Sequence, residues 1–176
     1  MNAIIKPLHA VLLCLGLAAA TLAHADFQPC PDSLINPNVS QPTYRDEIVF
    51  SPYTAHYSYS SEHKPVVLAG YARHLPGDTF CGVSLFKNSF GQPSVYAFVG
   101  KTYNNIWAGH PNIYASVTAG MLYGYVGQFK NKVPLNFHGF SPAIIPALGY
   151  RLTPQDAVEL QFLGNSALMF GYSRKY

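Results

Sequence analysis

After position 25 the chain is poor in charge, and it contains no apolar run long enough to cross a membrane as a helix. Charged residues make up only 11% of the chain, against about a quarter in an ordinary soluble domain. A membrane helix needs about 20 consecutive apolar residues, whereas the best run here, 143–150, is short and contains Pro146. A chain that faces lipid without helices satisfies its backbone hydrogen bonds in a closed β-barrel. The sequence therefore predicts a transmembrane β-barrel.

The first 25 residues have the features of a secretory signal peptide. Lys6 gives a positive start, 10–23 is a continuous apolar run, and Ala23-His24-Ala25 matches a small-x-small cleavage site. We expect cleavage before Asp26 and placement of the exported barrel in the outer membrane. The mature chain then has 151 residues (176 minus 25), which is one domain by length.

Residues 26–45 carry four prolines, and proline at that density excludes a helix. We expect an extended, proline-rich periplasmic leader there and the barrel over 46–176. Without Lys6 the chain has ten basic residues (11 minus 1) and eight acidic ones. This small excess of basic residues does not indicate a nucleic-acid partner.

The mature chain keeps two cysteines, Cys30 and Cys81. An oxidising periplasm would permit a disulfide between them. Because Cys81 lies within a predicted strand and Cys30 within the leader, we favour two unpaired small hydrophobic residues, with a bridge as the alternative. No spacing of cysteine and histidine resembles a metal or haem site, so we expect no metal and no cofactor.

Period-two alternation predicts strands throughout the barrel region. In one segment Val158, Leu160 and Phe162 face one way while Glu159 and Gln161 face the other, which is typical of lipid-facing and lumen-facing positions. A soluble β-sandwich or lipocalin-like barrel would share this period but usually carries more surface charge. We therefore expect an all-β fold, an eight-stranded antiparallel barrel. The eight candidates are 48–59, 66–75, 79–88, 94–103, 113–128, 141–152, 157–163 and 167–176.

Loop lengths predict which polar residues share an end of the barrel. The connection at 76–78, Pro-Gly-Asp, is a tight turn, whereas 129–140 is long and polar. Short turns face the periplasm and long loops face outward. His56 and the Asn88-Ser89 pair are therefore expected at the same, outer end.

Histidine, serine and a polar orienting residue are the groups that acyl-transfer chemistry uses. His56 would act as general base, Ser89 as nucleophile or positioning hydroxyl, and Asn88 as the residue that orients the histidine. Each also has an ordinary structural interpretation. His56 would be a hydrogen-bonded lumen residue, and Asn88-Ser89 would simply begin a turn.

Five segments, taken in order, read AHYSYSSEHK, GYARHLPGDTFCGVSLFKNSF, VTAGMLYGY, SPAIIPALGY and NSALMFGYSRKY. Together they resemble the outer-membrane lipid A palmitoyltransferase (PagP) family. The similarity covers about residues 47–176 and depends on the colinear set, because no single motif is specific. It implies a membrane acyltransferase that moves a palmitoyl chain from a phospholipid donor to lipid A among outer-membrane lipids, acting as a monomer.

By this resemblance His56 matches the catalytic histidine of the family and Ser89 its catalytic serine. Asn88 stands where the best-known members have aspartate, and an asparagine can orient a base only through hydrogen bonds. Outer-membrane phospholipase A uses the same three residue types. A lipid hydrolase, of the phospholipase or lipid A deacylase type, and a non-catalytic small barrel are therefore the alternatives.

The resemblance also implies residues that bind the acyl chain. Gly100 matches the glycine that forms the floor of the family's acyl pocket. Alternation places it on one face with Tyr96 and Phe98, which we take as the lumen. Lys87, beside the catalytic pair, could hold a lipid phosphate or extend along the membrane interface.

Two prolines in the sixth strand candidate, Pro142 and Pro146, cannot donate hydrogen bonds to a sheet. We expect the ladder to open beside this strand, which in the family would form a lateral gate for an acyl chain. The alternative is that the strand begins only after Pro146.

Overall fold

The computed structural model describes Cys30, Pro42, Thr43 and residues 45–176. The predicted signal peptide, its cleavage site and most of the predicted leader lie outside the described residues. A short 3-10 helix, Gly127–Lys132, lies between the fifth and sixth strands. In the part of the chain that the structure describes, no helix is long and apolar enough to cross a membrane.

Eight antiparallel strands close into one barrel, each paired with the next in sequence and the last with the first. The predicted fold class is confirmed. The largest difference is in the fifth strand, which ends before Gly124 because φ there is +140°, outside the range of a regular strand. The strands are β1 Asp46–His56, β2 Leu68–Leu75, β3 Thr79–Lys87, β4 Pro93–Tyr103, β5 Ile113–Tyr123, β6 Phe140–Arg151, β7 Asp156–Leu163 and β8 Ala167–Lys175.

Side chains alternate between the inside and the outside of the barrel, as predicted. On β7, Glu159 and Gln161 line the central cavity, while Val158 and Phe162 are exposed on the outer wall. An apolar outer wall around a polar or filled interior is the arrangement of transmembrane barrels. Other large apolar residues exposed on strands of this wall are Ile48, Phe50, Leu85, Val99, Ile144, Leu148 and Phe170.

The two ends of the barrel differ. At the end where β1, β3, β5 and β7 finish, here called the site rim, the connections are 57–67, 88–92, 124–139 and 164–166. At the opposite end, the turn rim, they are 76–78, 104–112 and 152–155. The longest connection lies at the site rim, in agreement with the predicted contrast between the two ends.

Cys30 and Cys81 form a disulfide bond, with their Cα atoms 5.5 Å apart. The preference for two unpaired cysteines was wrong. Cys81 points outward, because it alternates with the lumen-facing Phe80 on β3. Cys30 is buried against Cys81 and Leu75 on the outside of the wall near the turn rim. Strand alternation could not reveal this bond, because it does not predict where residue 30 packs.

The sheet is open beside β6, as its prolines predicted. β6 pairs with β5 from Phe140 to Tyr150, but with β7 only from Ala147 to Arg151. Pro142 and Pro146 lie in the stretch without β7 pairing. The alternative, a strand that begins after Pro146, is wrong because β6 starts at Phe140.

A second gap in the ladder lies between β1 and β2. β1 pairs with β8 as far as His56, but its pairing with β2 stops at Ser51. Pro52 follows directly and has no N–H to donate. The end of β1 that carries His56 therefore lies beside an unpaired stretch at the site rim.

Candidate functional site

His56 and Ser89 meet at the site rim, with His56 Nε2 2.6 Å from Ser89 Oγ. His56 is the last residue of β1, and Ser89 follows the end of β3 by two residues. The two strands are not neighbours, but both finish at this rim. The strand between them, β2, does not pair with the last residues of β1. Both side chains are half-buried.

The contact has the geometry of an activated nucleophile. A histidine nitrogen within hydrogen-bond distance of a serine hydroxyl can take its proton as the oxygen attacks a carbonyl carbon. The protonated imidazole can then return that proton to a leaving oxygen. The arrangement therefore suits acyl transfer between oxygen atoms.

Asn88 is placed differently from the expectation. Its side chain is fully buried, with 0% exposure. Its Oδ1 accepts hydrogen bonds from the backbone N–H groups of Phe90 (3.0 Å) and Gln92 (3.1 Å). Its Nδ2 donates to the carbonyl of Gly124 (3.2 Å). Asn88 thus ties the Ser89 turn to the end of β5, and its amide is not directed at His56.

His63 lies beside His56, although it was not among the predicted site residues. The two rings stack with centroids 4.1 Å apart and an interplanar angle of 29°. The backbone N–H of His63 donates to the carbonyl of Ser60 (3.1 Å), so a tight turn holds it in place. The signal in the sequence was the turn-forming serine at position 60, which folds the loop back towards β1.

An aromatic cluster lies beside the His56–Ser89 pair. Phe90, next to Ser89, lies 5.8 Å from His63 and stacks on Phe129 at 4.5 Å. Tyr125 meets Phe90 edge-on at 6.2 Å. Burial raises the pKa of Tyr125, so its hydroxyl stays protonated. The β5–β6 connection thus contributes Tyr125 and Phe129 to an aromatic cluster next to Ser89.

Basic residues surround the pair on the site rim. The rim connections and the end of β3 carry Lys64, Lys87, Lys130 and Lys132 against one carboxylate, Glu62. Lys132 Nζ lies 3.2 Å from Glu62, and the other three lysines are exposed. Lys87 faces outward and does not enter the lumen. This end of the barrel is suited to an anionic head group.

The lumen next to the pair is apolar but largely filled. The cavity measures about 100 Å³ and is lined on this side by Phe86, Tyr96, Phe98 and Leu122. An apolar cavity of about 150 Å³ accommodates one benzene molecule. A long acyl chain would therefore require these side chains to move.

Gly100 was expected to form the floor of the acyl pocket, but it does not line the cavity. A Cβ atom added there would collide with the ring of Phe80 from the neighbouring strand. Phe80 lies between Gly100 and the cavity, so Phe80 supplies the surface that was assigned to the glycine. Tyr96 and Phe98, by contrast, do face the lumen as predicted.

Towards the turn rim, the same cavity is lined by polar side chains that bond to one another. His74 Nε2 lies 2.6 Å from Glu47 Oε2, and both residues are buried. The Tyr114 hydroxyl donates to Glu159 at 2.9 Å. This layer limits how deep an apolar ligand can reach. Within the described residues, no group of three or more His, Cys, Asp or Glu residues is placed to hold a metal ion.

Comparison with known proteins identifies the class of fold. No protein-family model matches the chain, and no curated protein matches it. Among solved structures it is similar to a designed protein described as "De novo design of transmembrane beta-barrels", at 16% identity and a TM-score of 0.55. The match covers 78% of this chain and 100% of that one. The similarity supports the barrel fold alone.

Proposed function

We propose that the protein is an outer-membrane acyltransferase that moves a palmitoyl chain from a phospholipid to lipid A. The observation that carries the proposal is the 2.6 Å contact between His56 Nε2 and Ser89 Oγ at the rim of a membrane barrel. It is supported by the resemblance of segments spanning 47–176 to lipid A palmitoyltransferases.

The reaction would proceed in two balanced steps. First, His56 takes the Ser89 hydroxyl proton while Oγ attacks the ester carbonyl of the phospholipid. The ester bond breaks, the lysophospholipid oxygen receives that proton, and the acyl group stays on Ser89. Second, His56 takes a proton from a lipid A hydroxyl, whose oxygen attacks the acyl-serine. Ser89 leaves with the proton returned to it, so the enzyme is regenerated.

The gaps in the barrel wall support access from the membrane. The unpaired part of β6, which includes Pro142 and Pro146, offers a lateral opening to the lumen for a lipid chain. Exposed lysines at the site rim offer a place for the phosphates of lipid A. Donor and acceptor would thus meet at the His56–Ser89 pair.

A lipid hydrolase would use the same pair, with water as acceptor. The aromatic cluster of Phe90, Phe129 and Tyr125 beside Ser89 favours a lipid acceptor, because its apolar surface suits an acyl chain better than water. The two activities differ in product. Transfer yields acylated lipid A, whereas hydrolysis yields free fatty acid.

The test uses purified protein in vesicles that contain lipid A and a phospholipid with a labelled acyl chain. We expect mass spectrometry to find labelled lipid A, and His56→Ala and Ser89→Ala to lower its formation by about 10² to 10⁴. His110→Ala and Ser61→Ala, exposed residues outside the pair, are the matched controls. Labelled fatty acid alone would replace the transferase with a hydrolase. No product from the wild type, or full activity in the Ser89 variant, would refute the assignment.

Membrane placement is tested separately. A closed barrel resists detergent, so the protein is expected in the outer-membrane fraction and should migrate differently on gels before and after heating. Recovery as a soluble periplasmic protein would contradict the proposal.

A further inference from the structure

Two large apolar side chains project from the β5–β6 connection at the site rim. Leu135 is 79% exposed and Phe137 is 73% exposed, more than Ile144 (71%) on the outer wall. Single exposed apolar residues are ordinary on protein surfaces. Two together, two residues apart and each at least 73% exposed, require an explanation.

The turn that displays them is hydrogen-bonded. Phe137 and Phe140 exchange backbone hydrogen bonds of 2.7 and 3.0 Å. The two residues between them, His138 and Gly139, have φ angles of +50° and +93°, as a tight two-residue hairpin turn requires. These bonds extend β6 beyond the barrel as a small hairpin.

A second set of contacts fixes the residues just before the hairpin. Asn136 donates to the Tyr125 carbonyl (2.9 Å) and accepts from the Gly139 N–H (2.9 Å). Leu135 itself has φ +53°, an uncommon conformation for a residue with a branched side chain. The local structure thus holds the Leu135 side chain outward in a defined place.

The hairpin continues the lipid-facing side of β6. Phe140 pairs with Tyr123, and their rings lie 4.7 Å apart on the outer wall. Phe137 is the bridge partner of Phe140, and directly opposite residues share a face. The exposed Ile144 lies further along the same face of the strand. The apolar outer wall therefore runs without a break from Ile144 to Phe137.

We propose that Leu135 and Phe137 insert into the acyl-chain region of the membrane leaflet next to the open edge of β6. The occupant is lipid hydrocarbon, because the two side chains extend a surface that already faces lipid. They would anchor the β5–β6 connection, whose Phe129 stacks on Phe90 next to Ser89. The inference does not depend on the proposed enzymatic activity.

The test uses single-tryptophan variants of the full chain in phospholipid vesicles. The one native tryptophan, Trp107, is first replaced by phenylalanine. Tryptophan is then placed at 135 or 137, at 144 on the wall, or at the exposed Asn131 of the same connection. We expect lipids brominated on the acyl chain to quench Leu135→Trp, Phe137→Trp and Ile144→Trp several times more than Asn131→Trp. Aqueous iodide should give the reverse order.

If brominated acyl chains quenched Ile144→Trp but neither Leu135→Trp nor Phe137→Trp, the proposal would be overturned. The lipid-facing surface would then end before the hairpin. If brominated lipid quenched none of these three variants, the proposal would also be overturned, because this face of β6 would not lie in the membrane. A blue-shifted emission at 135 and 137 that resists both quenchers would mean that protein covers the hairpin, and this too would overturn it. None of these outcomes bears on lipid A acylation, which the previous experiment measures.

Discussion

At the scale of single residues, Asn88 and Ser89 are adjacent in sequence but differ in role. Ser89 is half-exposed and contacts His56, whereas Asn88 is buried and bonds only to loop backbone among its described contacts. The sequence predicted that His56 and Ser89 share a rim, because strand order and loop length determine that. It could not predict the partners of the Asn88 amide, because these depend on the path of a five-residue turn.

Replacement of Asn88 should loosen the Ser89 turn. Asn88→Ala leaves the N–H groups of Phe90 and Gln92 without their acceptor, and a buried unsatisfied group costs about 1–3 kcal/mol. We expect faster hydrogen exchange at those two amides, together with lower activity. Asn88→Asp keeps the acceptor and loses only the donor to Gly124, so it should preserve protection at both amides. Unchanged exchange in Asn88→Ala would contradict this role. Higher activity in Asn88→Asp with unchanged exchange would restore the orienting role.

His63 should act on catalysis through its stacking on His56. Aromatic pairs contribute about 0.5–1.5 kcal/mol beyond burial, so His63→Ala should lower kcat by roughly 2- to 10-fold with little change in KM. His63→Phe keeps the ring but not its nitrogens, and it should retain most of the activity. A lower kcat in both variants would show that the nitrogens of His63 contribute to catalysis. An unchanged kcat in both would show that the stacked ring does not contribute.

At the scale of elements, proline explains the open sheet. The gap beside β6 was predictable, because a missing N–H is a property of Pro142 and Pro146 wherever the strand lies. The gap between β1 and β2 was not predicted, although Pro52 carries the same signal. At the same place the pairing of β1 with β8 shifts its register between Phe50 and Tyr53, which the sequence does not reveal.

Restoring a donor to β6 should narrow its lateral opening. Pro146→Val supplies an N–H next to the last residue paired with β7, Ala147, and one hydrogen bond is worth about 0.5–1.5 kcal/mol. Transfer from bilayer phospholipid should fall by roughly 2- to 10-fold, while cleavage of a soluble short-chain ester stays unchanged. The control is Ile144→Val, a substitution on the same face of β6 that adds no backbone donor. An equal fall with both substrates would mean that the substitution acts on the site and not on the opening.

At the scale of the whole molecule, the barrel divides its interior into an apolar half near His56 and Ser89 and a polar half near the turn rim. Period-two patterning predicted the strands and their two faces, because alternation is a property of every strand. The closed barrel was predicted only when the low charge and the lack of a membrane helix were added. The size of the cavity was not predictable, since it depends on the orientation of Phe80 in the assembled lumen. The disulfide of Cys30 was missed for a similar reason, because it depends on where a distant segment packs.

Substitutions at Phe80 and at Gly100, which lie against each other, are expected to change the length of the transferred acyl chain in opposite directions. Phe80→Ala removes the ring that closes the apolar half, and it should allow longer acyl chains to be transferred, at a stability cost of about 3–5 kcal/mol. Gly100→Met pushes the same ring towards the cavity and should shift transfer to shorter chains. The double variant should deviate from additivity, because the two side chains share one space.

The measurement is the chain-length profile of acylated lipid A formed from a mixture of phospholipids with different acyl chains. Labelling of Ser89 by a fluorophosphonate serves as the control for an intact His56–Ser89 pair, and it should proceed at the wild-type rate in both variants. Identical profiles in Phe80→Ala, Gly100→Met and the wild type, with labelling intact, would show that the acyl chain does not reach Phe80. The lumen would then serve the stability of the barrel, and selection of chain length would have to occur outside it.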